Sequence, residues 1–316
     1  MLVTTSTILY VAKFFISITD PNPPPMSFYR IVYETTVPYI QLIPKSTIFF
    51  PWVIVSAIFA EITIVSFVFS FVVLIVGSKF AEKFWGYYET VKFVLVIGSV
   101  TNLITVLIAI ISNLFRSDGY SMDLPLGGGI SYYFGFLVVF KQLIPEHNIV
   151  LFQGLVNFRI KHLPFALLIV LSFWSILISH SLYPAIPSIV SFLVAFNYLR
   201  FFQPLRTEPT LPISSNDSAN GSILIGDASD TFQLIEFFPS VTKPYLGPVF
   251  NQVYEFSVFL GIVTPFNDER VQQSNSRAQK RQENQVNNIV ASSVAERRRQ
   301  VALQVIEERI SKETPK

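Results

Sequence analysis

Few residues in this chain have the types and spacing to do chemistry. One serine stands in a glycine-rich run, Gly127-Gly128-Gly129-Ile130-Ser131-Tyr132. A serine hydroxyl becomes a nucleophile only beside a base, most often an imidazole. Three histidines could supply one, His147, His162 and His180, and there is no cysteine. Lack of cysteine excludes disulfides, thiolate metal sites and thiol nucleophiles, and three scattered histidines do not form a metal-ligand pattern. The expectation is therefore no metal and no cofactor. Glu61 is the other candidate, an acid ahead of a long apolar run. A carboxylate inside lipid is expensive, so it reads as an interfacial group facing loop water rather than a proton site or client contact.

The elements that carry these residues follow from composition. Apolar residues make up 51% of the 316 residues, charged residues only 14%, and mean hydropathy is +0.49. That excludes a disordered chain, a coiled coil and a nucleic-acid binder, and leaves a membrane protein with the lipid bilayer as first partner. A net charge of +2 selects no further partner. A span needs about 20 mostly apolar residues. Six runs qualify: Leu2–Ile18, about Glu61–Gly77 after an interfacial stretch at Phe49–Trp52, Val91–Ile111, Leu126–Ile144, Leu163–Leu182 and Ile186–Phe202. None alternates as a barrel strand does, so six helices are expected. The first run reads as a retained span rather than a cleaved signal peptide.

Loop Lys and Arg set the orientation. Lys79, Lys83, Lys92, Lys141, Arg159 and Lys161 fall on one side, against Arg30, Lys45 and Arg116 on the other. This bias predicts cytosolic N- and C-termini. The sequons Asn216-Asp217-Ser218 and Asn220-Gly221-Ser222 would then stay unmodified.

Beyond residue 203 the character changes. Residues 1–203 carry 11 Lys/Arg and 8 Asp/Glu, and the shorter remainder carries 12 and 13, so a membrane domain over 1–203 is followed by a polar tail. Residues 204–226 read as a linker rich in Pro, Ser, Asn and Gly. Residues 227–266 read as short amphipathic helices. One lies over Asp227–Phe238, and another follows Pro248 with Val249, Phe250, Val253, Phe256, Phe259 and Leu260 at helical spacing. Residues 267–316 read as a largely disordered tail with a basic terminal helix at 293–311, opened by the capping box Ser293-Val294-Ala295-Glu296.

Lys79-Phe80-Ala81-Glu82-Lys83-Phe84-Trp85-Gly86 resembles the Glu-x-x-Trp-Gly signature after the second helix of rhomboids. The glycine-rich start of helix four is similar to the rhomboid Gly-x-Ser-Gly helix. Phe140-Lys141-Gln142, Tyr198-Leu199-Arg200-Phe201-Phe202-Gln203, Gly226-Asp227 with Phe237-Phe238-Pro239, and Ala295-Glu296-Arg297-Arg298-Arg299-Gln300-Val301-Ala302-Leu303 are similar, in order, to the rhomboid-like transmembrane protein 115 family of the Golgi. The fold this implies is an all-α polytopic membrane protein. It has a six-helix rhomboid-like bundle and a cytosolic C-terminal tail, partly helical and partly disordered. The resemblance also implies a non-proteolytic protein of Golgi-to-ER retrograde transport, with the conserved oligomeric Golgi complex as tethering partner. Client transmembrane helices and a second copy of the chain are further partners considered.

The residues agree with the non-proteolytic reading. Counting Gly129-Ile130-Ser131 as Gly-x-Ser loses one motif residue. Anchoring on Gly128 and Gly135 instead puts Ile130 at the nucleophile position. The sixth run holds no histidine, and Ser66 and Ser70 take the second-helix positions where rhomboids place His and Asn. Glu82, Trp85 and Gly86 are read as a structural turn at the interface. Gly128 and Gly135 are read as close-packing positions, Lys13 as a snorkelling side chain, and Asn102 and Asn197 as interhelical hydrogen-bonders. Arg297, Arg298, Arg299, Lys141 and Arg200 are the partner-binding candidates. A derlin-like role in ER client dislocation and an intramembrane serine protease are the alternatives.

Overall fold

A computed structural model describes residues 1–18, 37–61, 63–116, 122–145, 147–151, 156–181, 183–206 and 223–313. Helices form at each of the six apolar runs. They are α1 (Leu2–Ile18), α2 (Ile64–Trp85), α3 (Tyr87–Arg116), α4 (Ile130–Leu143), α5 (Leu163–Trp174) and α6 (Ala185–Asn197). Single π-helical turns, Ser175–Ser179 and Tyr198–Phe202, prolong α5 and α6. Among the described residues, four helical stretches are long and apolar enough to cross a membrane: Ile64–Trp85, Tyr87–Phe115, Ile160–Ser179 and Ala185–Phe202. The chain is a predominantly helical, multi-pass integral membrane protein. Two short antiparallel ribbons sit outside the helices, β1 (Asn148–Leu151) with β2 (Val156–Arg159) and β3 (Pro204–Arg206) with β4 (Ile223–Ile225).

Length sorts the helices into roles. At 1.5 Å per residue, α4 is about 21 Å long, short of the roughly 30 Å hydrocarbon layer. It is instead the enclosed centre of the bundle, with eleven of its 14 residues buried. It packs chiefly on α6 and next on α3. Phe93, Ile97, Tyr132, Phe134, Phe136, Phe192 and Phe196 fill that core. Residues 37–61 close the gap beyond the start of α4. They form helical turns at Pro44–Thr47 and Val53–Ser56 and bond into the bundle through Leu126 N–H to Leu42 O (2.9 Å) and Asn102 Nδ2 to Ile54 O (2.9 Å). Irregular backbone at membrane depth is tolerated where protein covers it and satisfies its polar groups.

α2 starts three residues after Glu61. Thr63 caps it by accepting from Ser66 N–H at 3.1 Å, and it continues past the expected stop at Gly77 as far as Trp85. Gly86 then reverses the chain into α3. Its φ of 84° and ψ of 170° lie in a region essentially reserved for glycine. Gly86→Ala is expected to lower stability by about 1–3 kcal/mol, read as a fall in melting temperature of the detergent-solubilised protein. Met1 lies at the same end of the bundle as this turn, with Tyr87 Oη donating to its sulfur at 3.2 Å. The tail leaves α6 at that end too.

The tail departs from its sequence reading in three ways. The expected 204–226 linker opens and closes as the β3–β4 ribbon; the sequons at Asn216 and Asn220 lie outside the described residues, as does Arg30. Instead of one helix over 227–238 there are 3-10 turns at Asp230–Phe232, Leu234–Phe237 and Ser240–Thr242. They lead into α7 (Lys243–Phe259), which starts before Pro248 rather than after it. The third departure corrects the largely disordered 267–316 segment with its separate 293–311 helix. α8 is one 46-residue helix, Asp268–Glu313. Low apolar content forbids a buried helix, not a helix. Residues 268–313 contain no Gly or Pro and abound in Gln, Arg, Glu and Ala, which tolerate helix well.

Candidate functional site

Polar groups gather at two depths in the bundle. The deeper gathering surrounds the start of α4. The first N–H groups of a helix have no partner of their own, and here they lie inside the protein. Glu61 supplies the acceptor: Gly129 N–H donates to its Oε1 at 2.6 Å. Ser70 Oγ also donates to that carboxylate and pairs with Tyr133 Oη. Lys13 Nζ donates to the Glu61 main-chain carbonyl at 3.1 Å. Glu61 is 1% exposed and Lys13 5%. The interfacial carboxylate and the snorkelling lysine are thus both corrected: each is buried, because a helix N-terminus and a hydroxyl pair replace water. Gly128 makes the approach possible. Its φ is 106°, its N–H bonds Ala57 O at 2.9 Å, and a Cβ there would stand 3.1 Å from Glu61 Oε2.

Ser131 lies in the first turn of the same helix and is fully buried. Its hydroxyl donates to Gly128 O at 3.0 Å, and its own carbonyl accepts from Ser191 Oγ of α6 at 2.7 Å. A serine therefore occupies the α6 position facing it. Gly135 meets the Phe93 ring, where a Cβ would sit at 3.4 Å. Asn102 bonds outside its helix as expected, whereas Asn197 turns back to Leu193 O of its own helix at 2.8 Å.

The second gathering lies where the tail meets the bundle. Asp227 is its hub. Its Oδ2 accepts from Gln142 Nε2 at 2.9 Å and from Arg281 Nη2 at 3.0 Å, and its Oδ1 accepts from Ser229 N–H at 3.1 Å. Burial pushes the Asp227 carboxyl up, but Arg281 and the hydrogen bonds from Ser229 and Gln142 outweigh it and hold the group below its ordinary range. Arg200 Nη1 donates to the carbonyls of Asp227 (2.8 Å) and Ser229 (2.6 Å), with its guanidinium 4.9 Å from the Phe266 ring. Lys141 Nζ donates to Thr231 O at 2.5 Å and lies 4.3 Å from the Phe237 ring centre. α8 docks here through Arg281 and through Ser274, which accepts from Ala228 N–H at 3.2 Å.

The proposed site residues thus separate. Lys141 is 2% and Arg200 9% exposed, so their part as partner contacts is corrected: both charges are spent inside the molecule, on tail carbonyls and rings. Arg297, Arg298 and Arg299 stay exposed on α8. Glu82 is exposed, its carbonyl accepting from Gly86 N–H at 2.9 Å, and Trp85 packs edge-on to Phe93 with centroids 5.3 Å apart. Four fragments that carried the family resemblance, around Lys141, Arg200, Asp227 and Phe237, converge on one buried junction. Their shared match was the sequence signal for it. Glu61 had no such signal.

The family model for eukaryotic integral membrane proteins (DUF1751) matches residues 1–312. The chain is 35% identical over 283 residues to the Transmembrane protein 115 homolog of Saccharomyces cerevisiae, covering 87% of this chain and 81% of that protein. It is 31% identical over 216 residues to Rhomboid-like protein 19 of Arabidopsis thaliana, covering 68% of this chain and 64% of that protein. No solved structure matches it significantly. The apolar helices, the buried α4 and these matches together place the chain in the DUF1751 family of eukaryotic integral membrane proteins, that of transmembrane protein 115, as a rhomboid-like protein of the membrane.

Proposed function

We propose that this is a non-catalytic protein of the Golgi membrane that supports Golgi-to-ER retrograde transport by recruiting trafficking machinery through its tail. The observation that carries this reading is α8. One part of the helix is tied to the bundle at Asp227, while Arg297, Arg298 and Arg299 stand exposed further along it, beside Val301 and Leu303. A long helix fixed at one end and open at the other can hold a partner near the membrane. The surroundings of Ser131 support the absence of peptide-bond chemistry. Its proton goes to a helix carbonyl, and the α6 side chain that contacts Ser131 is a serine bonded to its main-chain carbonyl, which is no base. With both termini in the cytosol, α8 faces the tethering factors implied by the family resemblance, the conserved oligomeric Golgi complex among them. The enclosed bundle supplies the anchor and a surface for client spans or a second copy.

Deletion of residues 290–316 tests the reading. Membrane insertion and Golgi localisation should persist, while recovery of tethering subunits in a crosslinked pulldown from Golgi membranes falls about tenfold or more, the loss of a charged anchor cluster. Unchanged recovery and normal retrograde transport would refute the tail's role. Residence with ER markers instead would support the dislocation reading.

A further inference from the structure

A hollow of about 530 Å³ opens where α5 meets the tail. Arg159 at the end of β2, Lys161 and His162 in the turn before α5, and Lys243 at the start of α7 line it, with Phe238 at one wall. Glu236 also lines it, but its Oε1 is 2.6 Å from Lys243 Nζ. Among the described residues, the lining thus brings together three cations and one carboxylate.

Two observations set the depth of this hollow. Its basic side lies at the start of the Ile160–Ser179 stretch, the end of a span where α5 leaves Ile169, Val170 and Phe173 exposed. On its other side, α7 leaves Tyr245, Val249, Val253 and Phe256 exposed, and Leu260 just after its end. Their spacing of three and four residues puts them on one face. The rings of Phe165, Phe238 and Phe250 bind α7 to α5, at centroid distances of 4.9 and 5.4 Å. The exposed α7 stripe therefore sits beside the exposed apolar residues of α5, an arrangement that suits a helix lying in the headgroup layer.

We infer that this hollow is a headgroup site for an anionic phospholipid, with the phosphate taken by Arg159, Lys161 and Lys243 and the acyl chains lying along α5 and α7. Clustered cations at the membrane boundary favour anionic headgroups, and charge-assisted bonds to phosphate are the strong ones. A choline headgroup carries its own cation and gains little.

The test uses the full chain purified in neutral detergent and titrated with dioctanoyl phosphatidic acid, dioctanoyl phosphatidylcholine or inorganic phosphate. Saturable binding of the phosphatidic acid alone is expected. The Arg159→Gln/Lys243→Gln double variant should bind it about thirtyfold more weakly. The conservative Arg159→Lys/Lys243→Arg variant should keep most of the affinity, which separates lost charge from lost fold. Equal binding of phosphatidylcholine, or unchanged affinity in a Gln variant that melts like the parent, would overturn the site. Competition by inorganic phosphate at lipid-like concentrations would overturn its assignment to a lipid.

Discussion

Glu61→Leu should destabilise this protein by about 3–5 kcal/mol, the loss expected when one partner of a buried charged network is removed. The carboxylate accepts from Gly129 N–H and from Ser70 Oγ inside the bundle. Leucine fills similar space and accepts nothing. Each buried donor left without an acceptor costs about 1–3 kcal/mol, and Lys13, 5% exposed, loses the opposite charge in its surroundings. Glu61→Gln keeps one acceptor oxygen and the shape, so its loss should be smaller, about 1–2 kcal/mol. Thermal and denaturant unfolding in detergent, followed by near-UV circular dichroism, read the order parent, Gln, Leu. A leucine variant as stable as the parent would show that the start of α4 does not depend on this cap. The fold gives Glu61 a structural task, closing a helix that begins inside the molecule.

Asp227→Ala is the second large effect. It removes the acceptor shared by Gln142 and Arg281 and leaves an arginine facing a buried cavity, again about 3–5 kcal/mol against the docked state. The other bonds of α8 to the 3-10 turns, from Asn275 to Asp230, are exposed and weak, so the visible result should be undocking of that helix rather than global unfolding. Tryptic cleavage after Lys280 and Arg281 reports it directly and should accelerate at least tenfold. Cleavage at the parent's rate would mean that α8 is held elsewhere. Acid should act like the substitution. The docked Asp227 carboxyl sits below its ordinary range, so the docked state binds a proton less readily than the released one. Its contribution is complete above the free aspartate value of about 3.9 and is lost as pH falls through the lower docked value. Protection should thus be level between about pH 5 and 8 and fail in stronger acid.

The sequence by itself determined whatever is local. Runs of apolar residues near 20 long specify helices that cross lipid, and all six runs became helices. A glycine after Trp85 specifies the reversal between α2 and α3. The three-to-four-residue spacing of Val249, Val253, Phe256 and Leu260 specifies the α7 face, even though the helix starts earlier than Pro248 suggests. The lack of an imidazole in the sixth run is a property of the sequence alone. Local pattern also misled where it was weak: the polarity of the 267–316 tail ahead of its 293–311 helix points to disorder, although nothing there breaks a helix.

Only the tertiary structure decided the fate of the charges. Glu61, Lys13, Lys141 and Arg200 looked like surface groups because burying a lone charge is prohibitive. That penalty falls only when other segments bring partners, and those partners are distant in the chain. Gly129 lies 68 residues from Glu61, Thr231 lies 90 from Lys141, and Asp227 lies 54 from Arg281. Hydrophobic periodicity is a property of neighbouring residues and can be read along a line. Satisfaction of a buried polar group is a property of a place, and the place exists only once α2, α4, α6 and the tail have met.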